Sequence, residues 1–388
     1  MPYNFDDKIN RVGSHSAKWD ELETLFELSP EDGLAMWVAD MDFQSPNEVN
    51  QALISAAQHG VNGYFGDDQE YKQAIIDWMA KQHNWAIEPD WIYTTSGLVQ
   101  ATALCIETFT QQHDGIILFT PVYHKFAHLI RTSHRTLIES PLVIQDNQYT
   151  MDLDSLEASL TGNEKMVILC SPHNPGGRVW TKEELRSLAE FCSLHELLLI
   201  SDEVHHDLVY SDYTHTVMPI ASPEYADNTI VLTAASKTFN LASAMIGAVI
   251  ISNNKLARQF KSTLDRFAVH QNRIGTLMVT AGYQHGKPWL DEVLVYLEEN
   301  QRVFLNGIAE IPSLHAMPLQ GTYLAWVDFS GTDMFPKDIK KKVFEEARIA
   351  VSPGSQFGQG GEYFMRFNLA TPRKNVLDAI DRLKRIFG

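Results

Sequence analysis

Short apolar runs in the middle of the chain are each followed directly by polar residues. The runs span residues 116–119, 166–170 and 197–200, and a further run begins at Thr229. Continuous apolar runs of this length, bounded by turn residues, are typical of strands that are buried on both faces of a parallel sheet. Ligands bind beyond the carboxyl ends of the strands in such sheets. The polar residues after these runs are therefore expected to meet at one edge of one sheet.

The residues expected at that edge carry complementary chemistry. They comprise an aromatic ring, an amide, a carboxylate, an imidazole and an amine, which suit a flat pyridinium ring that bears an aldehyde and a phenolic oxygen. In chain order they are Tyr123, Asn174, Asp202, His205 and Lys237.

Lys237 follows the last of these runs in the segment TIVLTAASKTFN, residues 229–240. Its neighbours Ala234, Ala235 and Phe239 offer the amine little solvation and no anionic partner. A desolvated lysine loses its proton readily and attacks carbonyl groups, which makes Lys237 a candidate for a Schiff base with an aldehyde. Taken alone, a Ser-Lys pair after a buried strand is more often an ordinary loop lysine.

Periodic segments of the sequence predict several helices. An amphipathic helix is expected over residues 46–60, a helix over about 98–112, and a long helix over about 289–308. Thr181 to Glu184 fits a capping box that starts a helix bridging two of the strands. The first helix would bury Val49, Leu53, Ala56 and Ala57, and the capped helix Leu185, Leu188, Ala189 and Cys192.

Two further positions are candidates for binding anions. Small residues precede the predicted helix that starts at Leu98, and Gly97 leaves its first N–H groups free, so the helix start can hold a phosphate. In the segment 363–369, alternation places Arg366 opposite an apolar face made by Tyr363, Met365, Phe367 and Leu369. A planar guanidinium suits a carboxylate. The alternative is a surface arginine in an ordinary ion pair.

Composition narrows the class of function. Among 388 residues, Lys and Arg number 31 against 49 Asp and Glu, for a net charge of −18. This balance argues against nucleic acid or an anionic membrane as a partner, because both require basic patches. No apolar stretch approaches the roughly 20 residues that span a bilayer. The amino-terminal residues lack the pattern of a signal peptide. Cys105, Cys170 and Cys192 lie in apolar patterns and are expected to be reduced core thiols of a cytoplasmic protein.

Five separated motifs resemble those of one enzyme family. They are MWVADMDF (36–43), SPHNPGGRVW (171–180), SDEVHHDLVY (201–210), SKTFN (236–240) and EYFMRFNLATPR (362–373). Together they resemble the fold-type I pyridoxal-phosphate enzymes, and within the class I/II aminotransferase superfamily the PatB/MalY-type C–S lyases, which are cystathionine β-lyase-like. The resemblance implies an α/β fold whose large domain has a mainly parallel seven-stranded sheet, plus a smaller α+β domain. We expect residues 46–288 to form the large cofactor-binding domain, and residues 1–45 and 289–388 to form the small one.

The resemblance also implies roles for the candidate residues. Lys237 would carry pyridoxal 5′-phosphate, Asp202 would hold the ring nitrogen, and Tyr123 would stack on the ring. Asn174 and His205 would bond the phenolic oxygen. Substrate contacts would come from Arg366, to the carboxylate, and from the backbone near Ala39, although Trp37 and Val38 could equally be core. The phosphate contacts would come from Ser236, Gly97, Leu98 and, across a homodimer interface, Tyr64. Without the resemblance, the flanking glycines would indicate only that Tyr64 lies in an ordinary turn.

The chain departs from the family pattern at a few positions. Met245 stands where many aminotransferases have an arginine for the phosphate, Ser243 replaces a glycine, and Ser96 replaces a proline. His124 and Lys125 follow Tyr123 where the lyases often have a second tyrosine, which affects the pocket for the leaving thiol. His205, His206 and Asp207 resemble a metal cluster, but adjacent histidines on one segment rarely converge on one ion. No metal site is expected.

The function predicted from the sequence is a pyridoxal-phosphate C–S β-lyase. It would convert cystathionine, cysteine or S-substituted cysteines to pyruvate, ammonia and a thiol. His205 stands where aminotransferases of this fold mostly carry a tyrosine. The sequence also has no second arginine in a recognisable motif for binding the side chain of an oxo acid. Both features favour elimination. The alternatives are an aminotransferase with the same site, and a non-catalytic interaction protein that retains the cofactor.

Overall fold

A seven-stranded sheet forms the centre of the protein in the computed structural model, which describes residues 3–388. Met1 and Pro2, which belong to the predicted amino-terminal segment, lie outside the described residues. The strands are β1 (Ile92–Thr95), β2 (Gly115–Thr120), β3 (Thr136–Pro141), β4 (Glu164–Cys170), β5 (Leu198–Asp202), β6 (Thr229–Thr233) and β7 (Gly247–Ile250). Their order in the sheet is β1-β7-β6-β5-β4-β2-β3.

All neighbouring strands are parallel except those paired with β7, which runs antiparallel to both β1 and β6. The central strands are apolar and buried along almost their whole length, as expected for a sheet covered by helices on both faces. The predicted mainly parallel seven-stranded sheet is confirmed. The carboxyl ends of β4, β5 and β6 consequently lie side by side.

Helices cover the sheet and surround the strand ends. The α-helices are Ala17–Asp20, Leu22–Phe26, Asn47–His59, Gln69–His83, Leu98–Phe109, His124–Thr132, Leu153–Ser159, Lys182–Leu194, Met218–Ala221, Ala235–Thr238, Asn254–Arg266, Arg273–His285, Lys287–Ala309, Pro336–Lys341 and Arg373–Phe387.

A second, four-stranded sheet lies in the carboxyl-terminal part. Its strands are β8 (His315–Ala316), β9 (Leu324–Asp328), β10 (Ser352–Pro353) and β11 (Phe364–Asn368), in the order β8-β9-β11-β10. The helices Lys287–Ala309 and Arg373–Phe387 pack against each other next to it. One hydrophobic core continues from this region into the helices beside the large sheet. The domain boundaries at residues 46 and 288 stay a prediction.

The predicted helices are present, with differences at some ends and faces. The helix predicted to reach residue 112 ends at Phe109, and the capping box at Thr181 and Glu184 is formed. The predicted face of Lys182–Leu194 is buried throughout. On Asn47–His59, by contrast, Leu53 and Ala57 are exposed in the chain, so that part of the prediction is wrong.

Two other expectations need correction. The segment 1–45, expected to be irregular, contains two short helices and a strand, Leu34–Ala35, that pairs in parallel with Ile349–Ala350. In β11, Met365 and Phe367 join the core as predicted, whereas Tyr363 is half-exposed because the strand begins one residue later.

No helix among the described residues 3–388 combines the length and the apolar composition needed to cross a membrane.

Gly275 allows the helix Arg273–His285 to approach the turn at Ala244 closely. A Cβ atom at this position would lie 2.0 Å from the Ala244 carbonyl oxygen. We therefore expect Gly275→Ala to lower the free energy of unfolding by about 1–3 kcal/mol, as overpacking does in other cores. Denaturant unfolding measures the change, with Gly63→Ala as the control because no heavy atom lies within 4 Å of its added Cβ. Equal unfolding midpoints for the two variants contradict this account of the packing.

Candidate active site

A cavity of about 660 Å³ opens beyond the carboxyl ends of β4, β5 and β6. All but one of the residues predicted from the sequence line it. They are Ala39, Gly97, Leu98, Tyr123, Asn174, Asp202, His205, Ser236, Lys237 and Arg366. The exception is Tyr64, which is fully exposed in the segment between two helices.

Lys237 lies in the one-turn helix Ala235–Thr238, which follows β6 directly. Its Nζ donates a hydrogen bond to the Ala39 carbonyl oxygen at 2.6 Å. Removal from water lowers the pKa of Lys237 to about 8, an effect that the charge of Asp40 partly offsets and the charge of Arg366 reinforces. The lysine is therefore desolvated, as its neighbours in the sequence predict, and near neutral pH more of it is the uncharged nucleophile than for a lysine in water.

Asp202 is the last residue of β5 and is buried. Its Oδ1 accepts a hydrogen bond from the Val204 N–H at 3.1 Å. Burial raises the pKa of Asp202 to about 7, against the opposing effect of that hydrogen bond. A carboxylate in this position is stabilised by a cationic N–H group brought into the cavity, because such a partner favours its ionised form.

His205 is buried in the wall of the same cavity. Burial, together with the charges of Lys237 and Arg366, holds the pKa of His205 well below its usual range, so the ring is neutral. Its Nδ1 has no hydrogen-bond partner among residues 3–388. A buried polar atom without a partner is costly, and a ligand oxygen or hydroxyl in the cavity would supply one.

Arg366 on β11 is buried and forms no ion pair with any residue among 3–388. It donates hydrogen bonds to Asn174 Oδ1 at 2.9 Å, to the Trp37 carbonyl at 2.8 Å and to Ser352 Oγ at 3.1 Å. Burial lowers the pKa of Arg366 to about 10. The alternative of a surface arginine in an ion pair is therefore wrong. Its Nε also lacks a partner, so the guanidinium retains a donor for an anionic ligand.

The helix Leu98–Phe109 begins at the cavity with Gly97, whose φ of 86° places it in the region that favours glycine. No side chain caps this helix. The Ser96 N–H is used internally, since it donates to Gln100 Oε1 at 2.7 Å. The first N–H groups of the helix proper remain available for an anion.

Met245 lines the cavity with a half-exposed side chain, and Arg366 is the one arginine among its lining residues in the described chain. A phosphate group at the helix start therefore meets no guanidinium from this chain. Backbone N–H groups and the hydroxyl groups of Ser96 and Ser236, which also line the cavity, are donors available to it.

Tyr123 and His124 form another wall, at the start of the helix His124–Thr132. Burial raises the pKa of Tyr123. Burial, with the charges of Arg366 and Lys125, lowers the pKa of His124 to about 4, so this imidazole is neutral. The position that follows Tyr123 thus contributes an uncharged ring rather than a cation.

Two residues that organise the site were assigned no role from the sequence, although one of them, Asn240, ends the motif at 236–240. Asn240 bonds the backbone of Met41 through both its amide oxygen and its nitrogen, at 2.9 and 3.0 Å, and also reaches the Phe43 carbonyl. The Tyr323 hydroxyl donates to the Ala39 carbonyl at 2.9 Å. Both fix backbone from distant parts of the chain, and a sequence pattern does not reveal such pairings.

His205 and His206 contact different parts of the structure, so they do not converge on one ion with Asp207. His206 lies with Asp207 in a buried group on the other side of the segment, which also contains His83, Glu203 and His215. The predicted absence of a metal stays a prediction.

The donor set of the cavity fits the cofactor that the sequence resemblance implies. A nucleophilic amine, a buried carboxylate, an unpartnered imidazole nitrogen and a free helix start match the aldehyde, ring nitrogen, phenolic oxygen and phosphate of pyridoxal phosphate.

Comparison with known proteins agrees with this geometry. Residues 32–383 match the family "Aminotransferase class I and II". The cystathionine beta-lyase PatB of Bacillus subtilis (strain 168) is 35% identical over 386 residues, which cover 98% of this chain and 99% of the relative. The protein MalY of Escherichia coli (strain K12) is 31% identical over 380 residues, 96% of each chain.

A solved structure is similar over nearly the whole length. Cystalysin from Treponema denticola, which contains a pyridoxal 5′-phosphate cofactor, is 35% identical and superposes with a TM-score of 0.95, covering 100% of this chain and 99% of its own. The sequence motifs, the sheet and the lined cavity agree with these matches. The chain belongs to the class I and II aminotransferase family and, within it, to the PatB/MalY-type group.

Proposed function

We propose that this protein is a pyridoxal-phosphate-dependent C–S β-lyase. It acts on cystathionine, cysteine or S-substituted cysteines and releases pyruvate, ammonia and a thiol. The observation that carries the proposal is that one cavity contains both a buried arginine with no ion-pair partner among residues 3–388, Arg366, and a desolvated lysine, Lys237. A buried charge without a partner is costly, so Arg366 is best explained by a substrate carboxylate.

When bound, pyridoxal phosphate withdraws electrons from the Cα atom of an amino acid attached to it. Asp202 favours this by holding the ring nitrogen protonated, and it is already positioned by the Val204 N–H. The unpartnered Nδ1 of His205 and the amide of Asn174 serve the phenolic oxygen. The helix start at Gly97 and Leu98, with Ser236, serves the phosphate.

Arg366 orients the substrate through its α-carboxylate. Because the Trp37 carbonyl, Ser352 and Asn174 hold the guanidinium in place, the substrate enters a preorganised clamp. The Ala39 carbonyl lies beside Lys237 at 2.6 Å, which puts the backbone of this segment next to the reacting amine.

Lys237 then accepts the proton from Cα on its Nζ. The electron pair of the Cα–H bond would then form a Cα–Cβ double bond as the Cβ–S bond breaks. The sulfur would leave with the electron pair of that bond, and the proton held on Lys237 Nζ would convert the thiolate to the thiol. Water hydrolyses the remaining three-carbon fragment to pyruvate and ammonia. Tyr123 and the neutral His124 line the wall near which the thiol group leaves, and neither adds a fixed charge there.

An aminotransferase with the same residues is the second candidate. Its support is the class I and II family match itself. Such an enzyme must also bind a 2-oxo acid, and those that accept dicarboxylates use a second cationic pocket. Arg366 is the one arginine that lines the cavity in residues 3–388. Lys125 and Lys340 also line it, so it is the lack of a second guanidinium, and not of every second cation, that favours elimination.

We also propose a homodimer in which Tyr64 reaches the phosphate of the partner subunit's cofactor. In support, Tyr64 is fully exposed and lies outside its own chain's cavity. Apolar side chains near it in sequence are exposed as well, namely Leu53, Ile54 and Val61. The three buried free thiols fit a cytoplasmic enzyme, because that compartment keeps cysteines reduced.

Thiol release without a second substrate distinguishes the two candidate reactions. We expect cystathionine or an S-alkyl cysteine to give pyruvate, ammonia and free thiol in equal amounts, with no oxo acid added, because elimination needs no amino-group acceptor. Coupled pyruvate and thiol assays measure this, with Lys237→Ala as the inactive control. Product that forms only after 2-oxoglutarate is supplied means that the aminotransferase alternative is correct.

Lys237 should attach the cofactor with a characteristic pH dependence. The uncharged amine is the attacking species, and the pKa of Lys237 is lowered to about 8. The rate at which apoprotein takes up pyridoxal phosphate covalently should therefore rise with pH and level off above about 8. Stopped-flow absorbance follows the reaction, and borohydride reduction with peptide mapping locates the bond. A midpoint near the ordinary lysine value of about 10.4, or a bond to another lysine, contradicts the assignment. Lys255→Ala, at an exposed position, is the matched control.

Hybrid dimers test the role of Tyr64. Tyr64→Phe and Lys237→Ala chains should each be strongly impaired, and mixing them should restore part of the activity, because one of the two sites in a hybrid then has both intact residues. Subunit exchange is checked with differently tagged chains. If exchange occurs and activity does not return, Tyr64 does not act across the interface.

A further inference from the structure

A buried carboxylate lies behind the cavity wall, on the far side of the segment that carries Asp202 and His205. Asp207 Oδ1 accepts hydrogen bonds from Trp78 Nε1 at 3.0 Å and His83 Nε2 at 2.7 Å. Its Oδ2 accepts one from Thr238 Oγ1 at 2.7 Å and lies 3.1 Å from His206 Nε2. The carboxylate is 2% exposed, so these contacts replace water completely.

The group resembles a metal site in its residue types, since it contains His83, His206 and Asp207 within ligand distance of one another. Its hydrogen bonding argues for another role. Both carboxylate oxygens are already occupied by protein donors. The Nδ1 of His206 has no partner, whereas a metal-bound histidine almost always donates its second nitrogen to an acceptor. The rings of His83 and His206 are also stacked, 4.2 Å apart at 25°.

The contact with Thr238 connects this carboxylate to the catalytic lysine. Thr238 is the residue after Lys237 and is completely buried. Both lie in the helix Ala235–Thr238, which has a single turn and no side-chain cap. So short a helix is not stable by itself and takes its orientation from tertiary contacts.

Rotation of that turn determines where the lysine points. Consecutive residues of a helix are separated by about 100° around its axis. With Thr238 held to Asp207 on the inner side, Lys237 is directed to the cavity, where its Nζ meets the Ala39 carbonyl. Asn240 fixes the chain just beyond the helix through Met41 and Phe43. Within the turn, Ala235 packs in the core, and the Thr238 hydroxyl adds a directional hydrogen bond to Asp207.

We propose that Asp207 is a positioning residue for Lys237. Its carboxylate holds Thr238 and thereby the rotation of the one-turn helix that directs the lysine amine into the cavity. The same carboxylate also bonds Trp78, whose ring packs edge-on against Phe239, the residue that follows the helix. Asp207 thus holds the lysine-bearing turn both directly and through Trp78.

The ionisable groups around Asp207 keep it charged. Burial opposes the charge, but His206 and His83 outweigh it and hold the pKa of Asp207 well below its usual range. Burial likewise opposes a charged His83, yet the hydrogen bond and charge of Asp207 raise the pKa of that histidine. Behind His206, Glu203 is paired with His215 at 2.8 Å. The helices Gln69–His83 and Arg273–His285 contribute the titratable hydroxyl groups of Tyr71 and Tyr283. Burial raises the pKa of both tyrosines.

Thr238→Val removes the hydroxyl without changing the shape of the side chain, and it is the primary test. The released turn would let the lysine amine reach water, so its pKa should move back toward that of a free lysine. In apoprotein, the pH midpoint for covalent uptake of pyridoxal phosphate should rise by about one unit. In the holoenzyme, kcat for thiol release should fall by about tenfold to a hundredfold through misorientation of the amine. KM should stay within about twofold, because Arg366 is untouched.

Matched variants distinguish a positioning role of the Thr238 hydroxyl from a general loss of protein stability. Thr238→Ser keeps the hydroxyl and should restore both the pH midpoint and kcat. Thr280→Val removes a hydroxyl that is also buried, bonded to the Thr276 carbonyl at 2.9 Å, and should change neither. Thr238→Ala repeats the test if the valine variant does not fold. An unchanged pH midpoint in Thr238→Val, or an equal loss in Thr280→Val, overturns the proposal.

This inference rests on the proposed attachment of the cofactor to Lys237, and the two readouts keep it separate from the lyase assignment. If the pH midpoint shifts as expected while the wild-type protein releases no thiol from any sulfur amino acid, the positioning role stands and the proposed reaction is wrong.

Discussion

The structure depends on ionisable groups that are held away from water and have no ion-pair partner among residues 3–388. Arg366 has no anion, Asp202 has no cation bonded to it, and Lys237 is desolvated, yet all of them line one cavity. Each group alone would cost several kcal/mol of free energy if fully charged and unsolvated. The protein tolerates them because backbone and side-chain dipoles replace part of the lost hydration, and because the missing partners are supplied by a ligand.

Two of these dipoles, the carbonyl groups of Trp37 and Ala39, come from one stretch of backbone, residues 37–43. Its carbonyl oxygens accept from Arg366, Lys237 and Asn240. Asn368 also donates to this stretch, at Val38 and Asp40. The stretch is in turn anchored by its own acidic residues, which pair with Arg11 and Lys18, as in the contact of Lys18 Nζ with Asp42 Oδ2 at 2.9 Å. The carbonyl groups of this irregular segment thereby take the place of water as hydrogen-bond acceptors for Arg366 and Lys237.

The sequence predicted the parts of the site that follow from strand periodicity and strand ends. Asp202 and Lys237 could be found because each lies at the end of a buried run. Gly97 could be found because small residues precede a predicted helix, and the family motif at 36–43 located Ala39. The pairings made by Asn240, Tyr323 and Asp207 could not be predicted, because a side chain that bonds remote backbone leaves no periodic trace. Leu53 was predicted to be buried but is exposed in this chain, for a related reason. Amphipathic periodicity identifies an apolar face, but it does not say whether the same chain or another covers that face.

The stretch 37–43 has a consequence for how the protein acquires its activity. Its contacts with Lys237 and Arg366 join positions that are 198 and 329 residues apart in the chain. Contacts of such long range form late, since the loops that they close carry a large entropic cost. During synthesis the large sheet can assemble before β11 exists, whereas the reactive groups cannot be arranged until that strand has docked. The Lys237 amine and the Arg366 guanidinium are therefore brought into one cavity only when β11 has docked against residues 37–43.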